Sequence, residues 1–393
     1  MTITPPPLSE SGFELIEVAS ISETSQSPDY SVIGKYVNTE TYETWFRNGH
    51  PDIGDILVPT VGSIGQYSIM KEKRGSIAQN IVGLVVKKGI DSFFLYYLLN
   101  GDVVGLQIKS VLMGAVQPSL RVPHFLQFKI LIPPLPEQQK IASILTSVDE
   151  VIEKTQSQIN KLQDLKKGTM NELLTKGIGN TEFKDSPVGK IPVGWEVKRL
   201  GDVFTLKTGS TPSRSTPIYF EEKMVGVPWV KTLDLNDKGI YDTDEHITEI
   251  ALQQTSCKLL PINTVLVAMY GGWKQIGRTG VLKISAATNQ AIVGLLLSDK
   301  VMADYCNYFL VGKRETWKKV AASSRKDPNI TKDDVFNFQI SIPPLPEQQK
   351  IASILSSMDS HIEEKQRKLE QTQSLKKSLM QDLLTGKVRV TVH

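Results

Sequence analysis

Residues 132–145 read IPPLPEQQKIASIL, and residues 342–355 read the same fourteen letters. The two copies lie 210 positions apart, which is more than half of the 393-residue chain. Because composition does not produce an identity of this length, a long internal period has to be considered before any local motif. The chain is therefore predicted to consist of two related halves. A plainer hypothesis, a duplicated structural domain with no functional asymmetry, stays open.

The match between the halves continues on both sides of the identical stretch. Downstream, Leu165-Lys166-Lys167 matches Leu375-Lys376-Lys377 at the same spacing. Upstream the match weakens, and Val82-Gly83-Leu84 pairs with Val293-Gly294-Leu295 only when small gaps are allowed. The halves therefore share a frame but diverge in the part that precedes each repeat. Such divergence favours one scaffold that carries two different binding surfaces.

Each copy of the repeat begins a long predicted helix, because proline suits a helix start and Glu137 or Glu347 suits the first turn. Apolar residues then recur at steps of four and three, the spacing of a coiled-coil heptad. Gly177 and Gly386 are suited to end helices of about 40 residues, or ~60 Å. The predicted coiled-coil residues are Ile141, Leu145, Val148, Ile152, Ile159, Leu162, Ile351, Leu355, Met358, Ile362 and Leu369.

Two amphipathic helices need a partner, and the simplest one is each other. We expect an antiparallel coiled coil with pseudo-two-fold symmetry and a globular unit at either end. The fold class is α/β (α+β), with twisted sheets in both globular units. The predicted parts are 1–131, 132–178, 179–341 and 342–388, with a polar linker at 179–194. The alternative, that each helix packs on its own domain, stays open.

Composition indicates a soluble globular protein with two or three domains. No apolar run is long enough to cross a membrane, and the opening MTITPPPLSESG is not expected to be a secretory leader. Only Cys257 and Cys306 are present, so a reducing prokaryotic cytoplasm is expected rather than a disulfide framework. A net charge of +3 permits nucleic-acid binding without demonstrating it.

Motifs for catalysis are missing from the sequence. It contains no phosphate-binding loop, no glycine-rich dinucleotide fingerprint and no Asn-Pro-Pro-aromatic tetrapeptide of amino-methyltransferases. Its five histidines are scattered and show no metal-ligand spacing. An acidic run at Asp234–Glu245 is interpreted as a solvated loop. The sequence therefore predicts neither a catalytic residue nor a metal site.

Three segments of the second half are suited to binding nucleic acid. Hydroxyl groups and Arg214 suit phosphates and base edges, as do the Lys, Gln and Arg side chains of a glycine-rich loop at 270–278. A basic run at 313–326 suits phosphates. The alternatives are an ordinary polar turn, Trp273 as a core anchor, and a solvated helix face. The predicted contacts are Thr208, Ser210, Thr211, Ser213, Arg214, Tyr270, Trp273, Lys274, Gln275, Arg278, Lys318, Lys319, Arg325 and Lys326.

The first half has a shorter set of such residues at the equivalent loop. They follow a predicted strand at 55–59 and differ in side chain from those of the second half. Two surfaces that recognise different sequences are the direct interpretation. The predicted contacts are Thr60, Ser63, Gln66, Tyr67, Lys71 and Arg74.

The doubled P-P-L-P-E-Q-Q-K-I-A, heading a long helix after each divergent α/β unit, resembles the specificity subunit of type I restriction–modification systems. The resemblance covers nearly the whole chain. It implies two target recognition domains, two conserved helical regions and no catalytic activity. It also implies double-stranded DNA and two methyltransferase subunits as partners, with restriction motor subunits in addition. S-adenosylmethionine is then expected on the partner, and no cofactor on this chain.

Under this resemblance the subunit reads a bipartite target whose two half-sites are separated by a spacer of fixed length. Two other classes of function stay open. One is a self-sufficient DNA nuclease or methyltransferase fragment with a degenerate site. The other is a coiled-coil adaptor that does not touch DNA.

Overall fold

The computed structural model describes residues 5–22, 25–46, 48–112, 118–222, 225–321 and 329–391. The chain divides into two compact units. Unit 1 comprises Met1–Gln158 and Lys365–His393, and unit 2 comprises Ile159–Glu364. Each long helix therefore contributes one part to each unit, and the units are described separately. In the described part of the chain, no helix is both long and apolar enough to cross a membrane.

Unit 1 contains two three-stranded sheets, ordered β2-β1-β5 and β4-β3-β6. Its strands are β1 Phe13–Ile16, β2 Tyr36–Val37, β3 Ile56–Pro59, β4 Ser68–Ile69, β5 Ser76–Ile77 and β6 Ile81–Leu84. Its helices are α1 Thr39–Thr44, α2 Ser92–Leu99, α3 Asp102–Leu112, α4 Val122–Phe125 and the first part of α5 Leu135–Lys176. The β1–β5 pair is parallel, whereas both pairs of the second sheet are antiparallel.

Unit 2 contains a five-stranded sheet ordered β10-β18-β15-β16-β13 and a four-stranded sheet ordered β11-β14-β12-β17. Its strands are β7 Phe183–Lys184, β8 Ile191–Pro192, β9 Glu196–Arg199, β10 Leu206–Thr208, β11 Phe220–Glu221, β12 Val227–Val230, β13 Gly239–Ile240, β14 Glu245–Ile247, β15 Val265–Ala268, β16 Thr279–Leu282, β17 Ala287–Thr288, β18 Ile292–Leu295 and β19 Gln339–Ile342. Its helices are the second part of α5, α6 Leu200–Val203, α7 Glu249–Gln254, α8 Ala303–Gly312, α9 Arg314–Val320, α10 Lys332–Asn337 and the first part of α11 Leu345–Leu384, whose last part belongs to unit 1.

The two units share one internal frame. In unit 1, β3 lies between β4 and β6, and in unit 2, β15 lies between β16 and β18 with the same antiparallel pairings. The strands β6 and β18 have the same sequence, IVGL. β3 and β15 are fully buried, as expected for apolar runs in the middle of a sheet. β3 confirms the strand that the sequence predicts at 55–59.

The long helices confirm the prediction from the repeat. α5 has 42 residues and α11 has 40, and α5 ends immediately before Gly177, whose φ of 69° is left-handed. Gly386, with φ 72°, follows the end of α11 by two residues. Glycine has no Cβ, so it adopts this conformation without the strain that other residues would incur.

Contacts inside each unit show that the two helices run in opposite directions. In unit 1, Glu137 pairs with Arg389 beyond the end of α11, and Asp149, further along α5, pairs with the earlier Lys376. The predicted antiparallel pairing is therefore confirmed. The predicted coiled-coil residues divide into the buried Ile141, Leu145, Ile159, Ile351, Leu355 and Ile362, and the half-buried Val148, Ile152, Leu162, Met358 and Leu369.

Each part of a long helix also packs on the globular part of the unit to which it belongs. The alternative, in which the helices pack on the globular domains, therefore holds as well. In unit 1, Ile141 and Leu145 of α5 and Leu384 of α11 share a buried cluster with Phe94 and Tyr97 of α2. Gln138 fixes the start of α5 there, accepting from the Asp91 backbone N–H at 2.9 Å. In unit 2, Ile351, Leu355 and Leu174 join the main core in the same way.

The segment 179–194 corrects one expectation, since it is not simply a polar linker. It contains the antiparallel pair β7–β8, and Ile191 lies in the main core of unit 2. Trp195, directly after it, is 1% exposed and donates from Nε1 to Glu347 at 3.0 Å. Burial of these two apolar residues explains why a segment rich in glycine and proline is ordered.

Candidate nucleic-acid interface

In unit 2, the strand register brings two predicted binding loops to one end of the five-stranded sheet. Ala268 at the end of β15 pairs with Ile292 at the start of β18, and Thr208 at the end of β10 pairs with Val293. The loop after β10 (residues 208–216) and the loop after β15 (residues 269–278) therefore leave the sheet side by side. Their backbones are fixed near the start of β18, since the Gly209 N–H donates to the Ile292 carbonyl at 3.2 Å and the Met269 N–H donates to the Ala291 carbonyl at 2.8 Å.

The 208–216 loop is held by its backbone, which leaves several side chains exposed. The Ser210 carbonyl accepts from Trp229 Nε1 at 3.1 Å and from Cys257 Sγ at 3.2 Å. Thr211 donates to Gln290, which lies two residues before the start of β18. The predicted contacts Thr208, Thr211, Ser213 and Arg214 are exposed, and Ser210 is half-buried.

Arg214 lies in a defined charged cluster. Its guanidinium stands 4.5 Å from the centre of the Phe220 ring and pairs with Glu245 at 2.7 Å. Lys231 pairs with the other oxygen of Glu245 at 2.6 Å. Burial alone would raise the pKa of Glu245, but the hydrogen bonds from Lys231 and Arg214 outweigh burial and lower it. One carboxylate thus holds two cations that a DNA phosphate would also attract.

This cluster corrects in part the expectation that the acidic run is a solvated loop. Glu245 is a member of β14 with 31% of its side chain exposed, and Asp237 pairs with Arg314. Asp234 is half-buried, and desolvation raises its pKa. Glu245 and Asp237 thus neutralise neighbouring cations, whereas Asp242 and Asp244 are exposed, as the prediction of a solvated loop requires.

The 269–278 loop exposes two aromatic rings. Tyr270 is 39% exposed and Trp273 is 50% exposed, so Trp273 is not a core anchor. Lys274 beside them is exposed, while Gln275 and Arg278 are half-buried. Aromatic and cationic side chains together at a strand end suit contact with bases and phosphates.

The helix α9 supports this loop from below. Trp317 is fully buried against Gly277, and Arg314 Nε donates to the Gly277 carbonyl at 3.3 Å. Lys319 is exposed on the same helix. Arg325 and Lys326 lie outside the described residues, as does the side chain of Lys318, so the basic run is seen only in part.

In unit 1, the equivalent loop after β3 is shorter and less exposed. Thr60 donates from its backbone and its hydroxyl to the Asn80 carbonyl, at 2.8 and 3.1 Å. Ser63 and Gln66 are half-buried, and Lys71 is exposed. Arg74 is exposed but pairs with Glu14 at 2.7 Å and lies 4.2 Å from the centre of the Tyr30 ring.

Tyr67 does not belong to this surface, which corrects the prediction for that residue. It is 1% exposed in the core of unit 1, with its ring centre 6.3 Å from that of Phe125. Burial raises the pKa of its hydroxyl. The loop places Tyr67 one residue before β4, where alternation of the strand turns the side chain inwards.

Sequence reasoning missed Lys231, Glu245 and Gln290 as parts of the cluster in unit 2. A signal existed for Gln290, since Gln79 precedes the IVGL strand of unit 1 at the equivalent position. No such signal existed for Lys231 and Glu245, which meet only through sheet pairing. Within the described ranges, no group of three His, Cys, Asp or Glu side chains is arranged to hold a metal ion.

Comparison with known proteins identifies the class to which this architecture belongs. The model of the type I restriction modification DNA specificity domain matches residues 15–164 and 192–372. The specificity subunit of the type I restriction enzyme MjaVIII of Methanocaldococcus jannaschii is 30% identical over 355 residues, which cover 86% of this chain and 79% of that protein.

Two solved structures share the fold. A type I restriction–modification system chain, from work on complex assembly and conformational transition, aligns with a TM-score of 0.59 and 17% identity over 98% of this chain and 96% of its own. The type I S subunit from M. genitalium aligns with a TM-score of 0.59 and 14% identity over 98% and 95%. This chain belongs to the type I restriction–modification specificity family and is a specificity subunit.

Proposed function

We propose that this specificity subunit reads a bipartite target in double-stranded DNA, with one half-site for each unit. The observation that supports the proposal is the shared frame with unlike loops. Both units carry an IVGL strand beside a buried central strand. The loops that leave the central strand differ in length, in exposure and in side chains. A constant frame with different exposed groups suits two readers of different sequences.

In unit 2, the exposed groups divide by chemistry. Lys274, Lys319 and the Arg214–Lys231 cluster would contact phosphates, which position the domain without reading sequence. Trp273 and Tyr270 would lie against base edges or thymine methyl groups, and Gln275 or Arg278 would hydrogen-bond to adenine or guanine. In unit 1, Thr60, Ser63, Gln66, Lys71 and Arg74 would supply a smaller set.

The long helices are proposed to set the distance between the half-sites. Forty residues of helix span ~60 Å, which is enough to hold two readers about one DNA turn, ~34–36 Å, apart. The spacer would then have a fixed length because the helices have a fixed length. The chain itself is proposed to be non-catalytic, with S-adenosylmethionine bound by methyltransferase subunits and DNA translocation left to restriction subunits.

The identical repeat is proposed to supply two equivalent docking sites for methyltransferase subunits. Its inward-facing residues have structural roles, since Gln138 and Gln348 are buried and make matching bonds in the two units. Several identical residues nevertheless point to solvent in both copies, and packing gives no reason for their identity. Apart from two proline pairs, the exposed identical pairs are Leu135 and Leu345, Gln139 and Gln349, Lys140 and Lys350, and Ser143 and Ser353.

A heptad insertion tests the ruler. Seven residues inserted after Gln158 in α5 and seven after Arg367 in α11 lengthen each helix by ~10.5 Å. Methylome sequencing of a host that carries the complex should then show both half-sites unchanged and a spacer longer by about three base pairs, at 3.4 Å each. A matched control replaces seven residues at each place without changing length, and it should keep the original spacer. An unchanged spacer in the lengthened protein contradicts the ruler.

Charge reversal tests the docking sites. Lys140→Glu together with Lys350→Glu should abolish recovery of methyltransferase with the tagged subunit, and either single variant should recover about half. Lys154→Glu, an exposed cation of α5 outside the repeat, is the control and should recover the full amount. Full recovery by the double variant would refute the docking sites. DNA cleavage or methylation by the purified chain alone would favour the self-sufficient enzyme instead.

A further inference from the structure

Three polar side chains from three helices meet in unit 1. The carboxylate of Asp149 on α5 pairs with Lys376 on α11, with 2.6 Å between Oδ1 and Nζ. The hydroxyl of Tyr97 on α2 donates to the other oxygen of Asp149 at 2.8 Å. The Lys376 ammonium also lies 5.7 Å from the centre of the Tyr97 ring. Three helices therefore meet at one carboxylate.

Unit 2 contains the same arrangement. Asp359 on α11 pairs with Lys166 on α5 at 2.6 Å, and Tyr308 on α8 donates to the other oxygen at 2.9 Å. The Lys166 ammonium lies 5.5 Å from the centre of the Tyr308 ring. The aspartates and the lysines are each 210 positions apart, and the tyrosines 211. Neither aspartate nor lysine lies within the fourteen-residue identity, so that identity does not account for the repeated geometry.

Burial gives these groups a consequence that a surface ion pair lacks. The side chains of Asp149 and Asp359 are 8% and 15% exposed. A buried charge that loses its partner is strongly destabilising, so each aspartate requires its lysine. An apolar heptad repeat, by contrast, is satisfied again after a shift of seven residues. The buried pair is satisfied at one relative position of the helices, and buried polar groups specify register in coiled coils.

We propose that the two Asp–Lys–Tyr groups are positioning residues that fix the register of the paired helix segments and join the globular part of each unit to that register. Through the register they determine the spacer length that the complex accepts. This inference rests on the proposed reading of a bipartite target. In addition to helix length, it makes four helix residues determinants of the spacer length: Asp149, Lys376, Asp359 and Lys166.

The two groups differ in one respect, which makes the inference sharper. In unit 1, Gln26 accepts from the Ile69 N–H and donates from Nε2 to Asp149 at 2.7 Å. In unit 2, Lys238 accepts from the Val281 N–H at the equivalent place but pairs with Glu363. Asp149 therefore keeps two donors if its lysine is lost, whereas Asp359 keeps only Tyr308 within the part of the chain that the structure describes. Losing Lys166 should disturb register more than losing Lys376.

Spin-label distances test the register directly in the full complex. Labels at Glu150→Cys and Lys377→Cys lie on exposed positions of the two helix segments of unit 1, and Cys257 and Cys306 are buried and escape labelling. The wild-type background should give one narrow distance. Asp149→Leu with Lys376→Leu removes both charges at once, so no buried charge is left alone, and should broaden or shift that distance. The control, Glu172→Gln with Lys176→Gln, removes an exposed pair within α5 and should not.

Methylome sequencing of the same variants tests the spacer. The paired variant, or Asp359→Leu with Lys166→Leu, should keep both half-sites while sites with a spacer about three base pairs longer or shorter increase by about tenfold. A slip of one heptad, seven residues at ~1.5 Å each, equals about three base-pair steps of ~3.4 Å. An unchanged distance, or a changed distance with a single spacer, overturns the inference. A wild-type methylome without a bipartite motif refutes the proposed function instead, and the spin-label distances still decide the register.

Discussion

The loops that follow β3 and β15 leave equivalent strands but place their aromatic side chains differently. In unit 2 the loop turns outwards and exposes Tyr270 and Trp273, while in unit 1 it turns inwards and buries Tyr67. Both loops nevertheless contain an Ile-Gly pair with a left-handed glycine, Gly65 in one and Gly277 in the other. The frame constrains the backbone at that glycine, and the side chains around it are free to differ. Duplication thus kept the backbone conformation at that glycine and changed the side chains around it.

The largest expected effect is on stability, and it should differ between alanine substitutions at those two glycines. A Cβ at Gly277 would lie 2.3 Å from Trp317 Cδ1, whereas a Cβ at Gly65 would lie 3.6 Å from Ile108 Cδ1. Both substitutions to alanine place a side chain in the left-handed region, which costs about 1–2 kcal/mol. Gly277→Ala adds an overpacking penalty of about 1–3 kcal/mol. Denaturant unfolding should show a larger loss in the free energy of unfolding for Gly277→Ala than for Gly65→Ala. Equal losses would contradict the inference that the two glycines share a backbone conformation but differ in how tightly they are packed.

A smaller effect concerns the aromatic rings. Trp273→Ala should weaken binding of the complex to its target by about 1–3 kcal/mol, the value of a good base contact. It should cost less stability than truncation of a buried ring, because half of the Trp273 side chain is exposed. Tyr67→Phe is the matched change in unit 1. It should leave DNA binding unchanged, and stability should not fall, because the Tyr67 hydroxyl has no hydrogen-bond partner among the described residues.

Titration of both variants with target DNA and with scrambled DNA separates the roles. Trp273→Ala should lose affinity for the target more than for scrambled DNA, since base contacts carry the sequence information. A loss of DNA affinity in Tyr67→Phe would contradict the buried, structural role given to Tyr67. An unaltered target affinity in Trp273→Ala would contradict the base contact given to Trp273.

Local signals account for most of what the sequence predicts about the frame. The strands β3, β6, β15 and β18 are short apolar runs, and the helices α5 and α11 carry a heptad and end near glycines. These features are readable within a window of a few turns. The sheet β11-β14-β12-β17 was not predicted, because its strands have two to four residues and β12 pairs in parallel with β17 far along the chain.

The candidate site was predicted at the level of loops, not of individual side chains. Trp273 and Arg214 lie on exposed loops as expected, but Tyr67 is in the core and Arg214 shares Glu245 with Lys231. Burial of Tyr67 depends on the register of β4, and the shared carboxylate depends on the pairing of β12 with β14. Both are properties of tertiary structure, for which a single sequence gives no direct signal.

The smallest expected effect is a pH dependence of stability that the first copy of the repeat should show through Glu137. Glu137 binds the guanidinium of Arg389 through both oxygens at 2.7 Å, whereas Glu347 accepts from the uncharged donors Ile178 N–H, Asn180 and Trp195. The hydrogen bond from Arg389 lowers the pKa of Glu137. Its folded-state pKa therefore lies below the unfolded value of about 4.3, and the stabilisation is present above that pH and is lost as the pH falls through the folded-state value.

Arg389→Gln should accordingly lower the thermal midpoint of unit 1 slightly at pH 7, and the difference from wild type should shrink towards pH 3. The effect is small because 69% of the Arg389 side chain is exposed and the pair is screened by water. Arg367→Gln removes the same charge from an exposed position of α11 and controls for net charge. A difference that persists at pH 3, or that Arg367→Gln reproduces, would mean that the Glu137–Arg389 pair does not distinguish the first copy of the repeat from the second.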